Sequence, residues 1–347
     1  MALKVGVIED GGMYYPTPYI NVLKKIANVD VSSICFMASE EKMRISNYGT
    51  GRDHFINDLG LKPYEDIELM IKEQELDAVI LFGEYSKKAD HIEVAARGGV
   101  NIFTTKPPAT SKDQMRRIIE AGKQNNVAIS IPEHSVYYPL AQKARDLIAA
   151  GEIGSVVTCR ALHQHGKMDE NESDPAHWYR TVENGGPEVS LGWYTAGALL
   201  RMVDSEAERV YAEYGNFMTG WSPHMDNGTA IVRFASGCIG SMTIHFSTGW
   251  PYPAAEIATV GTEGSVTFRV TDTMTSELIL YKPSGVTVET AEHRDSIEAE
   301  MDAWVKSCAD GRIQGNLTPE QAAGVLNLCL SWKESADTGK AVQIVPL

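Results

Sequence analysis

The stretch "LKVGVIEDGGMYY", residues 3–15, runs from a short apolar segment directly into a bend with paired glycines. Its apolar part is nearly continuous, as a strand covered on both faces of a parallel sheet requires. A turn at the carboxyl end of such a first strand is where an open α/β protein offers backbone N–H groups to a phosphate. In register with a G-x-G-x-x-G fingerprint, only the middle glycine is kept, as Gly11; Glu9 and Tyr14 hold the other two positions, and Gly12 adds local freedom. A carboxylate aimed at a pyrophosphate repels it. Nucleotide binding here therefore requires Glu9 to point elsewhere.

Outward from this turn the same texture repeats. "VDVSSICF" (29–36), "LDAVILF" (76–82), "VNIFTT" (100–105) and "VAISI" (127–131) read as further strands, with a helix over 17–27 between the first two. Another helix opens at Thr110 as N-cap and carries Met115, Ile118 and Ile119 on one face. This alternation predicts a doubly wound parallel sheet with crossover helices. After about residue 132 the pattern changes: a helix spans 139–154, and then strands and turns dominate. "GTAIVRFASGCIGSMTIHF" (228–246) and "EIATVGTEGSVTFRV" (256–270) each read as two strands about a tight turn, so an antiparallel or mixed sheet is expected. "LTPEQAAGVLNLCLSWKES" combines Thr318 at N-cap, Pro319 at N1 and Gln321 at N3, a capping box opening a terminal helix. The expected organisation is two domains, 1–132 and 133–347, with the helix 318–335 packing back toward the first.

Composition narrows the partners. With 43% hydrophobic and 22% charged residues the 347-residue chain has ordinary globular proportions, and its formal net charge of -15 opposes any polyanion. Nucleic acid and anionic membrane are excluded as expected partners. Cysteines 35, 159, 238, 308 and 329 are scattered without CxxC spacing, so reduced thiols are expected rather than disulfides or a zinc site. The chain enters a strand at once, leaving no room for a secretory leader, and no run is long enough to span a bilayer. A cytoplasmic protein is expected.

Three stretches carry chemistry-bearing residues. In "NIFTTKPPATS" (101–111), Lys106 is set between a buried strand and two stiff prolines, which places it at the carboxyl edge of the sheet. "DPAHWYRTVENGGPEVSLGWYTAGALL" (174–200) gathers Trp178, Tyr179, Arg180, Trp193 and Tyr194 around Gly185, Gly186 and Gly192, supplying stacking faces and polar tips of the kind that line sugar pockets. His163 and His165 share one face of a strand by two-residue periodicity. Asp169, Glu172 and His177 follow, but no third ligand can be placed, and no metal is expected. Glu133 and His134 either face the cleft or cap the next helix. Ser39, after the second strand, stands near where an acidic ribose anchor usually lies and offers a hydroxyl instead.

These segments, in this order, resemble the glucose-fructose oxidoreductase and inositol dehydrogenase (Gfo/Idh/MocA) family over nearly the whole chain. "LDAVIL", "TTKPPATS", "LIAAGEIGSVV", "GGPEVSLGWYTAG" and "VGTEGSV" carry the likeness. The resemblance implies an N-terminal Rossmann domain followed by an α+β domain with a large open, mostly antiparallel sheet. It implies NAD or NADP as cofactor, a sugar or polyol as substrate, and a homodimer or homotetramer formed through that sheet. Cofactor contacts would come from Gly11, Gly12 and Met13, from Ser39, from Phe82, Gly83 and Glu84, from Thr105, Lys106 and Pro107, and from Glu133. Substrate contacts would come from His134, His163 and His165, from Trp178, Tyr179 and Arg180, and from Ser190 and Tyr194. The family's Glu-Lys-Pro falls on Thr105, Lys106 and Pro107, so the lysine is retained. Its aspartate and histidine in the Gly-Gly-x-x-x-Asp-x-Gly-x-His pattern become Ser190 and Tyr194.

Oxidising a secondary alcohol needs a hydride acceptor and a base for the hydroxyl proton. Tyrosine is a poor base unless an ammonium nearby favours its phenolate. Lys106 and Tyr194 are therefore the expected reacting pair, with His134, His163 or His165 as other sources of the base. Two further readings stay open: a lyase or deglycosidase with a firmly held nicotinamide, and a non-catalytic binding or partner subunit that has lost the nucleotide.

Overall fold

The computed structural model describes residues 2–166, 173–249, 253–272, 274–292 and 295–347. The chain forms two compact units, one of Met1–Pro132, Asp169–Asn184 and Ile297–Ala323, the other of Glu133–Met168, Gly185–Ser296 and Gly324–Leu347.

The first unit is built on six parallel strands: β1 (Leu3–Asp10), β2 (Val29–Phe36), β3 (Lys62–Tyr64), β4 (Ala78–Gly83), β5 (Asn101–Thr104) and β6 (Ile129–Ser130). Their spatial order is β3-β2-β1-β4-β5-β6, that of a Rossmann sheet. The order reverses between β1 and β4, whose last residues Asp10 and Gly83 are paired, so ligand-binding space in this topology lies beside them. Helices α1 (Pro16–Leu23), α2 (Glu40–Ser46), α3 (Ile67–Gln74), α4 (Lys88–Arg97) and α5 (Lys112–Asn125) connect the strands. Val5, Val7, Ile34, Ile80, Phe82 and Phe103 form the centre of the core. A helix from far along the chain, Ser296–Asp310, completes this unit: Met301 and Trp304 join the core, and Trp304 lies 5.6 Å from the Phe103 ring.

The second unit carries a nine-stranded sheet. Its strands are β7 (Val156–Gly166), β8 (Ala207–Gly215), β9 (Asn227–Phe234), β10 (Ile239–Thr248), β11 (Ala255–Gly261), β12 (Ser265–Val270), β13 (Thr275–Lys282), β14 (Gly285–Glu292) and β15 (Val342–Gln343). The order is β14-β13-β12-β11-β7-β10-β9-β8-β15, antiparallel except where β7 runs parallel to β10. Alternation along β12 and β10 buries every second side chain, so the sheet has one covered and one open face. Helices α6 (Pro139–Ala149), α7 (Gly186–Ser190) and α8 (Gly192–Val203) belong to this unit, and α8 is buried along Trp193, Ala196 and Leu199.

Several element boundaries differ from those read in the sequence. The first helix spans Pro16–Leu23 rather than 17–27, because the chain must turn through Asn28, at φ 62°, to re-enter the sheet. The N-cap of α5 is Ser111, whose hydroxyl accepts from Gln114 N; Thr110 instead bonds to the Gln114 side chain. The helix expected over 139–154 stops at Ala149, since Gly151 and Gly154 both take positive φ and unwind the chain. Both expected hairpins form, as β9 with β10 and β11 with β12. The terminal capping box also forms: Gln321 N donates to Thr318 Oγ1 at 3.3 Å and Thr318 N to Gln321 Oε1 at 3.0 Å. That helix runs Pro319–Thr338. All five cysteines are free.

Candidate functional site

The glycine turn of the first unit is an anion nest. Gly11, at φ 81°, turns the chain so that the N–H groups of Gly11 and Gly12 converge on a single oxygen. That oxygen is Glu9 Oε1, 2.9 Å from Gly11 N and 2.8 Å from Gly12 N, and Asn47 Nδ2 donates to it at 2.9 Å. The condition set by the sequence, that Glu9 points elsewhere, is not met. Glu9 is fully buried, and burial raises its carboxyl to about 7 despite the hydrogen bonds from Asn47, Gly12 and Gly11 that favour the charged form. Its other oxygen, Oε2, has no hydrogen-bond partner among the described residues. Packing fixes the turn: a Cβ on Gly12 would lie 2.5 Å from Phe82 Cβ and 2.8 Å from Pro16 Cγ. The helix that follows begins Pro16-Thr17-Pro18, so two amides of its first turn have no hydrogen to offer an anion.

Around the nest, the carboxyl ends of β1 and β4 carry a charge network. Asp10 bonds Lys42 at 2.9 Å and His91 at 3.0 Å, and Lys42 reaches Glu84 at 2.7 Å. Burial raises the Asp10 pKa, but His91 and Lys42 outweigh it and the carboxyl is held below its usual range. Glu84 also takes a hydrogen bond from Asn184 at 3.3 Å. Ser39 is the N-cap of α2, accepting from Lys42 N. Met13 takes φ 61° and is buried. Gly83, at φ 144°, lets the two strand ends approach: a Cβ there would meet Asp10 Cβ at 2.7 Å.

Lys106 sits at the end of β5, followed by a cis bond to Pro107, and is buried. The segment is clamped by a second lysine that the sequence reading did not single out. Lys88, fully buried, donates to the Thr105 carbonyl, to Thr105 Oγ1 at 2.9 Å and to the Pro107 carbonyl at 3.0 Å. Desolvation and the charge of Lys106 hold its pKa well below the usual lysine value.

Trp178 and Tyr179 belong to the first unit. Trp178 Nε1 donates to the Gly11 carbonyl at 2.8 Å, and its ring lies 4.8 Å from Tyr85. Both side chains are buried. Arg180 donates to the Ser173 carbonyl. His177 is buried too; its Nδ1 accepts from Tyr179 N, and burial lowers its pKa to about 4. Asp169 and Glu172 lie outside the described residues. Among the described residues no group of three or more His, Cys, Asp or Glu is placed to hold a metal.

The second unit holds a pocket lined by His134, Tyr138, Leu162, His163, Tyr194 and Phe268, with small alanines at positions 161, 198, 254 and 255. Tyr194 has two ring neighbours: its ring is stacked on His163 at 4.1 Å and 19°, and lies 4.6 Å from His134. Strand β7 presents His163, helix α8 presents Tyr194, and His134 opens the short helical turn His134–Tyr137. The three sequence candidates are thus brought together. His165 is not with them; it lies against Phe246 at 4.9 Å, near the strand's exposed end. Glu133 caps the turn, accepting from Ser135 N at 2.9 Å and Ser135 Oγ at 2.6 Å. Ser190 is buried at the end of α7.

The strand order is that of a Rossmann fold, in which the turn after the first strand is the place for a dinucleotide's pyrophosphate. Residues 21–132 match the oxidoreductase family with NAD-binding Rossmann fold, and residues 141–267 match the GFO/IDH/MocA C-terminal domain. The chain belongs to the Gfo/Idh/MocA oxidoreductase family. The first match begins beyond the glycine turn. A D-xylose 1-dehydrogenase (NADP(+)) of Haloferax volcanii is 25% identical over 81% of this chain and 84% of its own. A 1,5-anhydro-D-fructose reductase of Ensifer adhaerens is 25% identical over 82% and 84%. A solved Agrobacterium radiobacter oxidoreductase in complex with NAD+, L-tartaric acid and magnesium has the same fold, with TM-score 0.81, 17% identity and 99% of each chain covered. For the family's cofactor, the donor set fits: the amides of Gly11 and Gly12 already hold a carboxyl oxygen at hydrogen-bond distance, with Glu9 as the stand-in.

Proposed function

We propose that this protein is an NAD(P)-dependent oxidoreductase acting on a secondary hydroxyl or ketone of a sugar, glycoside or cyclitol. The observation that carries the substrate class is the pocket around Tyr194, where aromatic and alanine surface suits the C–H faces of a carbohydrate and three polar rings suit its hydroxyls. The named sugar enzymes among the relatives support the same class. When bound, the nicotinamide supplies or accepts the hydride. The chain's own part is to hold the hydroxyl and move its proton. Tyr194 exchanges that proton, with His163 and His134 flanking its ring to fix it and to pass the proton on. Lys106, held by the Lys88 clamp, is the cation of the reacting centre. Gly11 and Gly12 supply amides to the pyrophosphate, and Glu84 and Thr105 belong to the same cofactor side.

We further propose that the open face of the nine-stranded sheet joins copies of the chain. Tyr211, Ile231, Ile239, Val260, Tyr281 and Val286 are all exposed, and the strand registers place them on one face. An apolar stripe of this extent is uncommon on a monomer. The functional reading is tested by following nicotinamide reduction by the purified protein with NAD+ or NADP+ across aldoses, glycosides and inositols. Turnover with at least one class is expected, and its absence throughout overturns the reading.

A further inference from the structure

We infer that Glu9 is a built-in competitor for the dinucleotide pyrophosphate, so that its side chain sets how tightly this protein holds its cofactor. Three donors converge on Glu9 Oε1: the Gly11 amide at 2.9 Å, the Gly12 amide at 2.8 Å and Asn47 Nδ2 at 2.9 Å. One oxygen, two consecutive amides and a side-chain donor form the arrangement in which a nest binds one phosphate oxygen. The same amides cannot serve both ligands. Pro16 and Pro18 sharpen the competition, because they remove two of the amide hydrogens that the first turn of α1 would otherwise share with a pyrophosphate. The turn has little room to offer a second position: Gly12 is wedged against Phe82 and Pro16, and the Gly11 carbonyl is tied to Trp178. A pyrophosphate therefore enters by displacing the Glu9 side chain from the nest. The displacement is feasible because Glu9 binds weakly for an anion: it is wholly desolvated, with Oε2 unpartnered among the described residues and its carboxyl raised to about 7. Removing the side chain leaves the amides to the ligand.

The inference rests on the cofactor reading above, and one experiment separates the two. The affinities of the full chain for NAD+ and for NADP+ are measured by calorimetric titration and by the dinucleotide-induced shift in melting temperature, for wild type, Glu9→Gly and Glu9→Gln. Glu9→Gly binds the preferred dinucleotide at least tenfold more tightly than wild type, because both amides are released. Glu9→Gln keeps a carbonyl oxygen on the nest but removes the charge, so it binds with intermediate affinity. Equal affinity in wild type and both variants overturns the competitor role and leaves the cofactor reading standing. No binding by folded Glu9→Gly overturns both. Should Glu9→Gly fail to fold, Glu9→Gln decides: an affinity no tighter than wild type overturns the inference.

Discussion

The rings of Tyr194 and His163 stack at 4.1 Å and 19°, although α8 and β7 bring them from distant parts of the sequence. Stacking of this kind fixes the orientation of the phenol ring. Replacing Tyr194 with Phe keeps the stack and removes the hydroxyl. Turnover is expected to fall by roughly 10²–10⁴, the usual scale of acid–base assistance, while KM changes little. Unchanged kcat in steady-state assays would assign the proton to another group.

Lys88 is expected to matter for stability as well as for the placement of Lys106. Lys88→Met leaves the Thr105 and Pro107 carbonyls without the ammonium that satisfies them. A loss of about 2–4 kcal/mol in urea unfolding follows, since buried acceptors lose their partner. A cost under about 0.5 kcal/mol would mean that water or local rearrangement replaces the clamp.

Glu188 provides a pH-dependent stability signal. It is buried, with Oε2 making no hydrogen bond among the described residues, and desolvation raises its pKa from 4.5 to about 7. The groups facing it are His224, 3.9 Å away, with Tyr214, Lys333 and Asp337 as the other charged or titratable neighbours. Between these two pKa values the folded state binds the proton that the unfolded state releases, so the contribution is present below pH 4.5 and is lost as pH rises toward 7. Relative to wild type, Glu188→Gln should therefore gain stability across that interval, by roughly 3 kcal/mol at its upper end. Parallel stability–pH curves for the two proteins, from denaturant melts, would show that the carboxyl ionises freely in the fold.

The open sheet face makes a prediction about assembly. Ile231→Lys places a charge in the middle of the exposed stripe, between Tyr211 on β8 and Ser241 on β10. Light scattering should show a dimer or larger assembly for wild type and a smaller species for the variant, with the far-ultraviolet circular dichroism unchanged. A monomeric wild type removes the proposal.

Much of this architecture is legible in the sequence because local signals and burial agree there. Continuous apolar runs mark β1, β2, β4 and β5, whose neighbours cover both faces, and the Thr318–Gln321 box marks the last helix. The hairpin β13–β14 is hard to read because its outer strand is exposed along most of its length and buries no apolar face. The role of the helix Ser296–Asp310 was hidden for another reason: its apolar residues identify a buried face, but nothing local says that they pack with residues some two hundred positions earlier. His134, His163 and Tyr194, which the fold brings into one pocket, stand out by residue type and spacing alone. Trp178 and Tyr179 are buried in the fold, which the sequence does not show, because an aromatic in a glycine-rich stretch looks the same whether it faces a ligand or seals a turn. Lys88 was missed since a lysine on an amphipathic helix reads as solvent-exposed, and only the fold reveals the carbonyls around it. The Glu9 problem was visible as a charge in the wrong place; the direction of its side chain was not.

The most direct test of the central claim uses a cyclitol or sugar deuterated at its carbinol carbons, incubated with the purified protein and saturating NAD+ or NADP+. Mass spectrometry of the nicotinamide product is expected to show one deuterium transferred, in wild type and, at lower dinucleotide concentration, in Glu9→Gly. Failure of either protein to yield deuterated nicotinamide from any sugar or cyclitol tested, with dinucleotide binding demonstrated in the same samples, would contradict the account.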